Sequence, residues 1–407
     1  MKIPQRYKHT EFGLIPDDWV LCTFKDVLTT FSSGATPYRG IPEYYNGNIR
    51  WISSGELNYN VIYDTIEHIS ANAVRNTNLH ILNPSTFLMA ITGLEAEGTR
   101  GKCAFVGAPA TTNQSCLAIN GTDRMCVEYL FWFYRMWGDY LAFKYCQGTK
   151  QQSYTAEIVK KLPIYCPITI KEQNKIAEAL SDVDALITAL DKKIAKKRLI
   201  KQGAMQQLLT GKKRLPNFSE KWVSKKLGEI SRIKTGKRNG DEQVKNGKYP
   251  FFVRSNVVAR IDSYSFDGEA ILVPGEGGIG AIFHYVNGKF DYHQRVYKIS
   301  DFADAIYGKY VYYYMQRYFG EYALSLSVKA TVDSLRLPTF EEFSIALPNN
   351  IEEQQAIATI LSDMDKEIAD LEARRNKYKL IKSGMMQKLL TGQIRLVKPL
   401  APIIPLE

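Results

Sequence analysis

The sequence predicts an α+β protein whose plan is written twice. Two mixed α/β globular segments are each followed by a long helix, and the two helices pair antiparallel as a coiled coil with pseudo-two-fold symmetry. Three observations lead there. Residues 172–215 and 353–396 match at a fixed offset of 181, with 23 of 44 positions identical and no gap. Both stretches carry apolar residues at alternating steps of four and three, the 3.5-residue spacing of a coiled-coil seam. The segments ahead of them repeat more loosely: Trp19 answers Trp222, Asn113-Gln114 answers His293-Gln294, and Tyr129 answers Tyr310. The division is residues 1–168, 169–215, 216–349, 350–396 and a tail, 397–407.

In residues 1–168 and 216–349, runs of Val, Ile, Tyr and Phe are broken by Gly, Pro, Asn and Asp, as in short strands joined by turns. The aromatic stretches 129–143 and 310–324 read as buried helices. Ala281–Val286, followed by Asn287-Gly288 and Phe290, reads as a hairpin closed by a tight Asn-Gly turn. The first long helix presents Ile176, Leu180, Val183, Ile187, Leu190 and Ile194 as its seam; the second presents Ile357, Leu361, Met364, Ile368 and Leu371. Thr169 with Glu172 and Asn350 with Glu353 form matching capping boxes. Gly211 and Gly392 stand where a left-handed C-terminal cap is wanted. A helix over 172–210 is about 58 Å long at 1.5 Å per residue. Two equivalent seams in one chain favour each other, so one polypeptide mimics a two-fold dimer. The tail, KPLAPIIPLE, is punctuated by proline and expected to be poorly ordered.

Composition narrows the function. Of 407 residues 45% are hydrophobic and 23% charged, as in an ordinary globular protein. No apolar run reaches the length of a membrane helix and the N-terminus has no apolar signal core, so the chain is expected in the cytoplasm. The net charge of +11 includes +5 from residues 172–215, which suits a polyanionic partner without proving one. The six Cys all lie before residue 167 and form no CxxC pair, against a disulfide framework or a zinc site. No metal site is expected, since the five His lack ligand spacing. There is neither a GxxxxGK[ST] phosphate loop nor an Asn/Asp-Pro-Pro-aromatic motif for adenine methylation. Gly275, Gly277 and Gly280 make a GxGxxG, but strand-like residues follow where a dinucleotide site needs a helix.

The opening TEFGLIPDDW, the stretch SSGATPYRGIPEYYNGNIRWISSGEL (32–57), SVKATVDSLRLPTFEEFSIALP (327–348) and the paired EQxxIAxxLSDxD…LIKxGxMQxLLTG helices resemble the specificity subunits of type I restriction–modification systems. The likeness covers nearly the whole chain. It implies two target-recognition domains, each reading half of a bipartite, asymmetric DNA sequence, and paired helices that dock two methyltransferase subunits. Two restriction–translocation subunits would join that core. The chain itself would be non-catalytic. Adenine-N6 methylation and cleavage, with S-adenosylmethionine, ATP and Mg, would belong to the partners, and the complex would serve host defence. A type IIB-like system, or a pseudo-symmetric coiled-coil scaffold that binds no DNA, remains open as an alternative.

Base readers should be polar or basic residues in loops near glycine. In the first segment these are Thr36, Tyr38, Arg39, Arg100, Lys102, Asn113, Gln114, Lys150 and Gln151. In the second they are Lys237, Arg238, Asn239, Arg254, Asn256, Arg260, His293, Gln294, Arg295 and Lys329. Gln114 and Gln294, being repeated, also suit a role in the fold. The lysine-rich run 191–201 is either a solvated helix face or a phosphate contact between half-sites. On this reading the helix pair sets the spacing of half-sites roughly one DNA turn apart, about 34–36 Å.

Overall fold

The structure, a computed structural model, describes residues 7–95, 98–148, 152–278, 280–326 and 334–398. It divides into two compact units that do not follow the linear segments. The first unites residues 1–189 with 376–407, and the second is residues 190–375. Each unit therefore joins one head to the opening part of its own long helix and the closing part of the other.

In the first unit a five-stranded sheet runs in the order Thr29–Ser33, Cys116–Asn120, Phe87–Ala90, Cys103–Val106, Asn60–Ile62. A three-stranded sheet, with Ile49–Ile52 between Ala110–Thr112 and Glu67–Ile69, carries its own small core of Tyr44, Trp51, Ile69, Ala73 and Leu79. Helix α1 (Val127–Tyr145) lays Tyr129, Leu130, Phe133 and Tyr134 into the main core. In the second unit one six-stranded sheet runs Arg232–Thr235, Val296–Ser300, Phe266–Pro274, His284–Tyr292, Tyr249–Phe252, Ala259–Ile261.

The two long helices are α2 (Ile170–Leu208) and α4 (Ile351–Leu390); α3 (Gly308–Leu326) is the second unit's counterpart of α1. In the first unit the opening of α2 packs with the end of α4: Ile176 and Leu180 share a core with Leu389 and Leu390. In the second unit Ile357 and Leu361 share a core with Met205, Leu208 and Leu209. The two helices thus run antiparallel within each unit. Ile187, Leu190, Ile194, Ile368 and Leu371 are buried, while Val183 and Met364 are half-buried. The first two residues of each expected seam thus serve a head's core as well as the helix pair. Such helices are stabilised mainly by burial of their apolar face, not by intrinsic propensity.

Two local expectations need correction. Asn287-Gly288 makes no turn: His284–Tyr292 runs straight through it, with Gly288 opposite Gly268. Both glycines take positive φ (146° and 135°), and the chain reverses instead in the glycine-rich segment after Pro274. The sequence signal failed because paired glycines can relax a strand as readily as they close a hairpin. The capping boxes are half formed. Thr169 and Asn350 accept from the amides of Glu172 and Glu353, each at 3.3 Å, but the glutamate carboxylates are taken by arginines. Gly211 and Gly392 do cap their helices, at φ 67° and 69°.

Candidate nucleic-acid interface

One framework of side-chain anchors recurs in both units. The Gln173 amide donates to the carbonyls of Arg124 and Pro167 and accepts from the Cys126 amide. The Gln354 amide donates to Ala305 and Pro348 and accepts from Tyr307. Arg395 grips the buried Glu172 and also Asp18, stacking near Trp19; Arg214 grips the fully buried Glu353 at 2.7 and 2.8 Å, near Trp222. Lys382 meets Asp184, and Lys201 meets Asp365, at 2.5 Å each. These anchors lock each head to both long helices. Composition alone does not single them out, although their offset of 181 was there to be read.

Loops are pinned to helices by glycine. A Cβ on Gly280 would stand 2.4 Å from the Gly320 Cα, and one on Gly138 would stand 2.7 Å from the Gly101 Cα. In both units, therefore, the connection beyond a central strand crosses the aromatic helix backbone to backbone. Only glycine permits that approach.

The candidates fall into three groups. Several are spent on the fold. Arg238 donates to Asp291, Glu242 and Ser263; Arg260 donates to the carbonyls of Gly247 and Lys248; Arg100 donates to those of Leu94 and Glu95. His293 is buried, and its Nδ1 accepts from the Arg295 amide; burial and the neighbouring Arg254 and Arg295 push its pKa down. Asn113 does the same for Ser115. These five are framework, because their donors or acceptors already have partners.

A second group is exposed but paired. Thr36 donates to Gln114, and Gln294 donates to Asn239 at 2.7 Å, so the repeated glutamine tethers a loop in each unit. Lys102 donates to Asn58. Arg39 forms a two-pronged pair with Glu67 at 2.5 and 2.8 Å and lies over the Tyr45 ring, and the arginine holds the Glu67 carboxyl below its usual range. Arg254 and Arg295 both meet the Glu276 carboxylate. Glu276 went unnoticed in the sequence, where only the glycines around it drew attention. Tyr38, Lys237 and Asn256 form the third group, presented to solvent. Lys150, Gln151 and Lys329 lie outside the described residues.

No group of three or more His, Cys, Asp or Glu among the described residues could hold a metal ion, and no described helix is long and apolar enough to cross a membrane. The family model for the type I restriction modification DNA specificity domain matches residues 16–198 and again 219–379. The chain belongs to this family. As a specificity-domain protein it is 27% identical over 290 residues to the MjaIX type I restriction enzyme specificity subunit of Methanocaldococcus jannaschii, a match spanning 65% of each chain. It is 23% identical to the MjaVIII specificity subunit of the same organism, over 97% of this chain and 98% of that one. It also resembles the solved type I restriction-modification S subunit of M. genitalium, at TM-score 0.69 and 14% identity, covering 96% of this chain and 98% of the other. Each matched stretch contains one Glu–Gln pair of the platform, Glu172-Gln173 and Glu353-Gln354, whereas Arg214 and Arg395 lie outside both.

Proposed function

We propose that this chain supplies DNA sequence specificity to a type I restriction–modification complex. Its two heads read the two unlike halves of one bipartite target. The observation that carries the reading is a Gln–Arg–Glu framework repeated in both units while the exposed loops of the two heads differ. A single DNA-contact geometry is thereby offered twice with different chemistry, which is what an asymmetric bipartite sequence needs.

Catalysis is assigned to partners. S-adenosylmethionine would be bound by methyltransferase subunits, which must flip the target adenine out of the duplex. ATP and Mg would serve restriction subunits, and the assembly would work in the cytoplasm. Support for docking comes from α2 and α4. Leu199 and Ile200 in the second unit, and Leu380 and Ile381 in the first, stand exposed at the repeat offset, Leu199 at 69% and Leu380 at 76%. Neighbouring large apolar side chains left open at two repeat-related places suit two copies of one partner.

The experiment is co-purification of the chain with its methyltransferase, followed by DNA binding at several salt concentrations. Discrimination between cognate and scrambled duplexes by the complex supports the reading; equal binding to both rejects it. Leu199→Asp should remove one methyltransferase copy, Leu380→Asp the other, and the double variant both, as read by mass photometry. Retention of two copies by the double variant would refute this docking surface.

A further inference from the structure

The duplicated framework allows positions in the two heads to be matched by backbone bonds. The amides of Asn113 and His293 donate to the carbonyls of Ile52 and Phe252, at 2.9 Å each. Two residues on, the Ser115 and Arg295 amides donate to the side chains of Asn113 and His293. The Ser115 and Arg295 carbonyls accept from Ile91 and Gly275 at 2.9 and 2.8 Å, and Gly93 and Gly277 follow at φ 71° and 75°. These bonds equate Ser54 with Arg254, Thr92 with Glu276, and Ser115 with Arg295. The flanking backbone bonds are kept, although Ser54 opens a 3-10 turn that Arg254 does not, and three small hydroxyl residues in one head become Arg, Glu and Arg in the other.

In the second head those three side chains meet. Arg254 gives Nη1 to one Glu276 oxygen at 3.3 Å, and Arg295 gives Nη1 to the other. The arginine side chains are 50% and 55% exposed and the glutamate 20%, so the acid lies beneath and the guanidiniums outward. Each arginine keeps its Nε and Nη2 donors, the edge that can bridge the O6 and N7 acceptors of guanine. A cluster meant only for phosphate would gain nothing from an internal carboxylate that competes for the same charge. A cluster meant for bases gains alignment and sheds non-specific attraction. The buried His293 ring fixes the Arg295 backbone, its Nδ1 accepting from the Arg295 amide at 3.0 Å.

We infer that Arg254, Glu276 and Arg295 form the base-discriminating centre of the second head, with Glu276 the positioning residue that sets both arginines toward neighbouring guanines. The matching places Ser54, Thr92 and Ser115 give the first head its different preference. This rests on the specificity function proposed above.

The test maps methylated sites in cells expressing the chain with its methyltransferase. Wild type should give a bipartite motif with guanine in at least one half. Glu276→Gln should relax one or two neighbouring G·C positions in that half alone, cutting discrimination against a single substitution about tenfold, the size of one good bidentate contact. The other half and the spacer should not change. Arg254→Lys, which keeps the charge but not the fork, should relax the same half, and it decides the matter if Glu276→Gln does not fold. An unchanged motif, relaxation in both halves, loss of all methylation by an assembled complex, or a wild-type motif without guanine overturns the inference. A wild type with no bipartite motif would sink the specificity function itself.

Discussion

Arg214 and Arg395 show how much rests on single side chains. Glu353 has no exposed side-chain surface, so removing its partner strands a buried charge. Arg214→Ala should cost about 3–5 kcal/mol, the usual penalty for breaking a buried pair from one side. Urea denaturation should locate the loss in residues 190–375; a change under 1 kcal/mol would show that water reaches the carboxylate. Replacing Arg214 and Glu353 together by apolar residues should restore most of it. At this scale the sequence is only partly legible. It offers Arg238, Arg260 and His293 as polar loop residues, but not that Asp291, the Gly247 carbonyl and the Arg295 amide already occupy them. Whether a donor is spent depends on residues far along the chain.

Among the elements, the strand Val296–Ser300 carries an instructive exception to burial. Lys298 is 5% exposed on the second of the six strands, opposite Leu272 and Lys234, with its ammonium 3.3 Å from the centre of the Phe266 ring. Burial lowers its pKa from 10.5 to about 8. The charged form is therefore the disfavoured one, and its cost to folding is full below pH 8, where both states are protonated. Between pH 8 and the unfolded value the folded chain releases its proton first, and the cost fades. Lys298→Met should accordingly stabilise the protein at pH 7, by on the order of 2 kcal/mol, with the gain vanishing near pH 10.5. Thermal melts across that range check it; a gain independent of pH would contradict the account. The helices were legible because period and caps are local, as was the aromatic α3. The Asn287-Gly288 strand was not, because its outcome hinges on Gly268, twenty residues earlier in the chain.

For the whole molecule, the internal repeat made the plan readable: heads, long helices and their antiparallel pairing all follow from one offset. What it concealed is that each compact unit borrows the end of the other's helix, through Leu389 and Leu390 in one and Leu208 and Leu209 in the other. Apolar periodicity shows that a face is buried, not which partner buries it. The central claim is that each head reads its own half of one target. The most direct measurement is to map methylated adenines in cells carrying this chain and its methyltransferase, then replace residues 216–349 with the equivalent segment of another specificity subunit. The account predicts a bipartite motif in which one half changes and the other is kept. A motif that stays whole after the exchange, or changes in both halves, would contradict it.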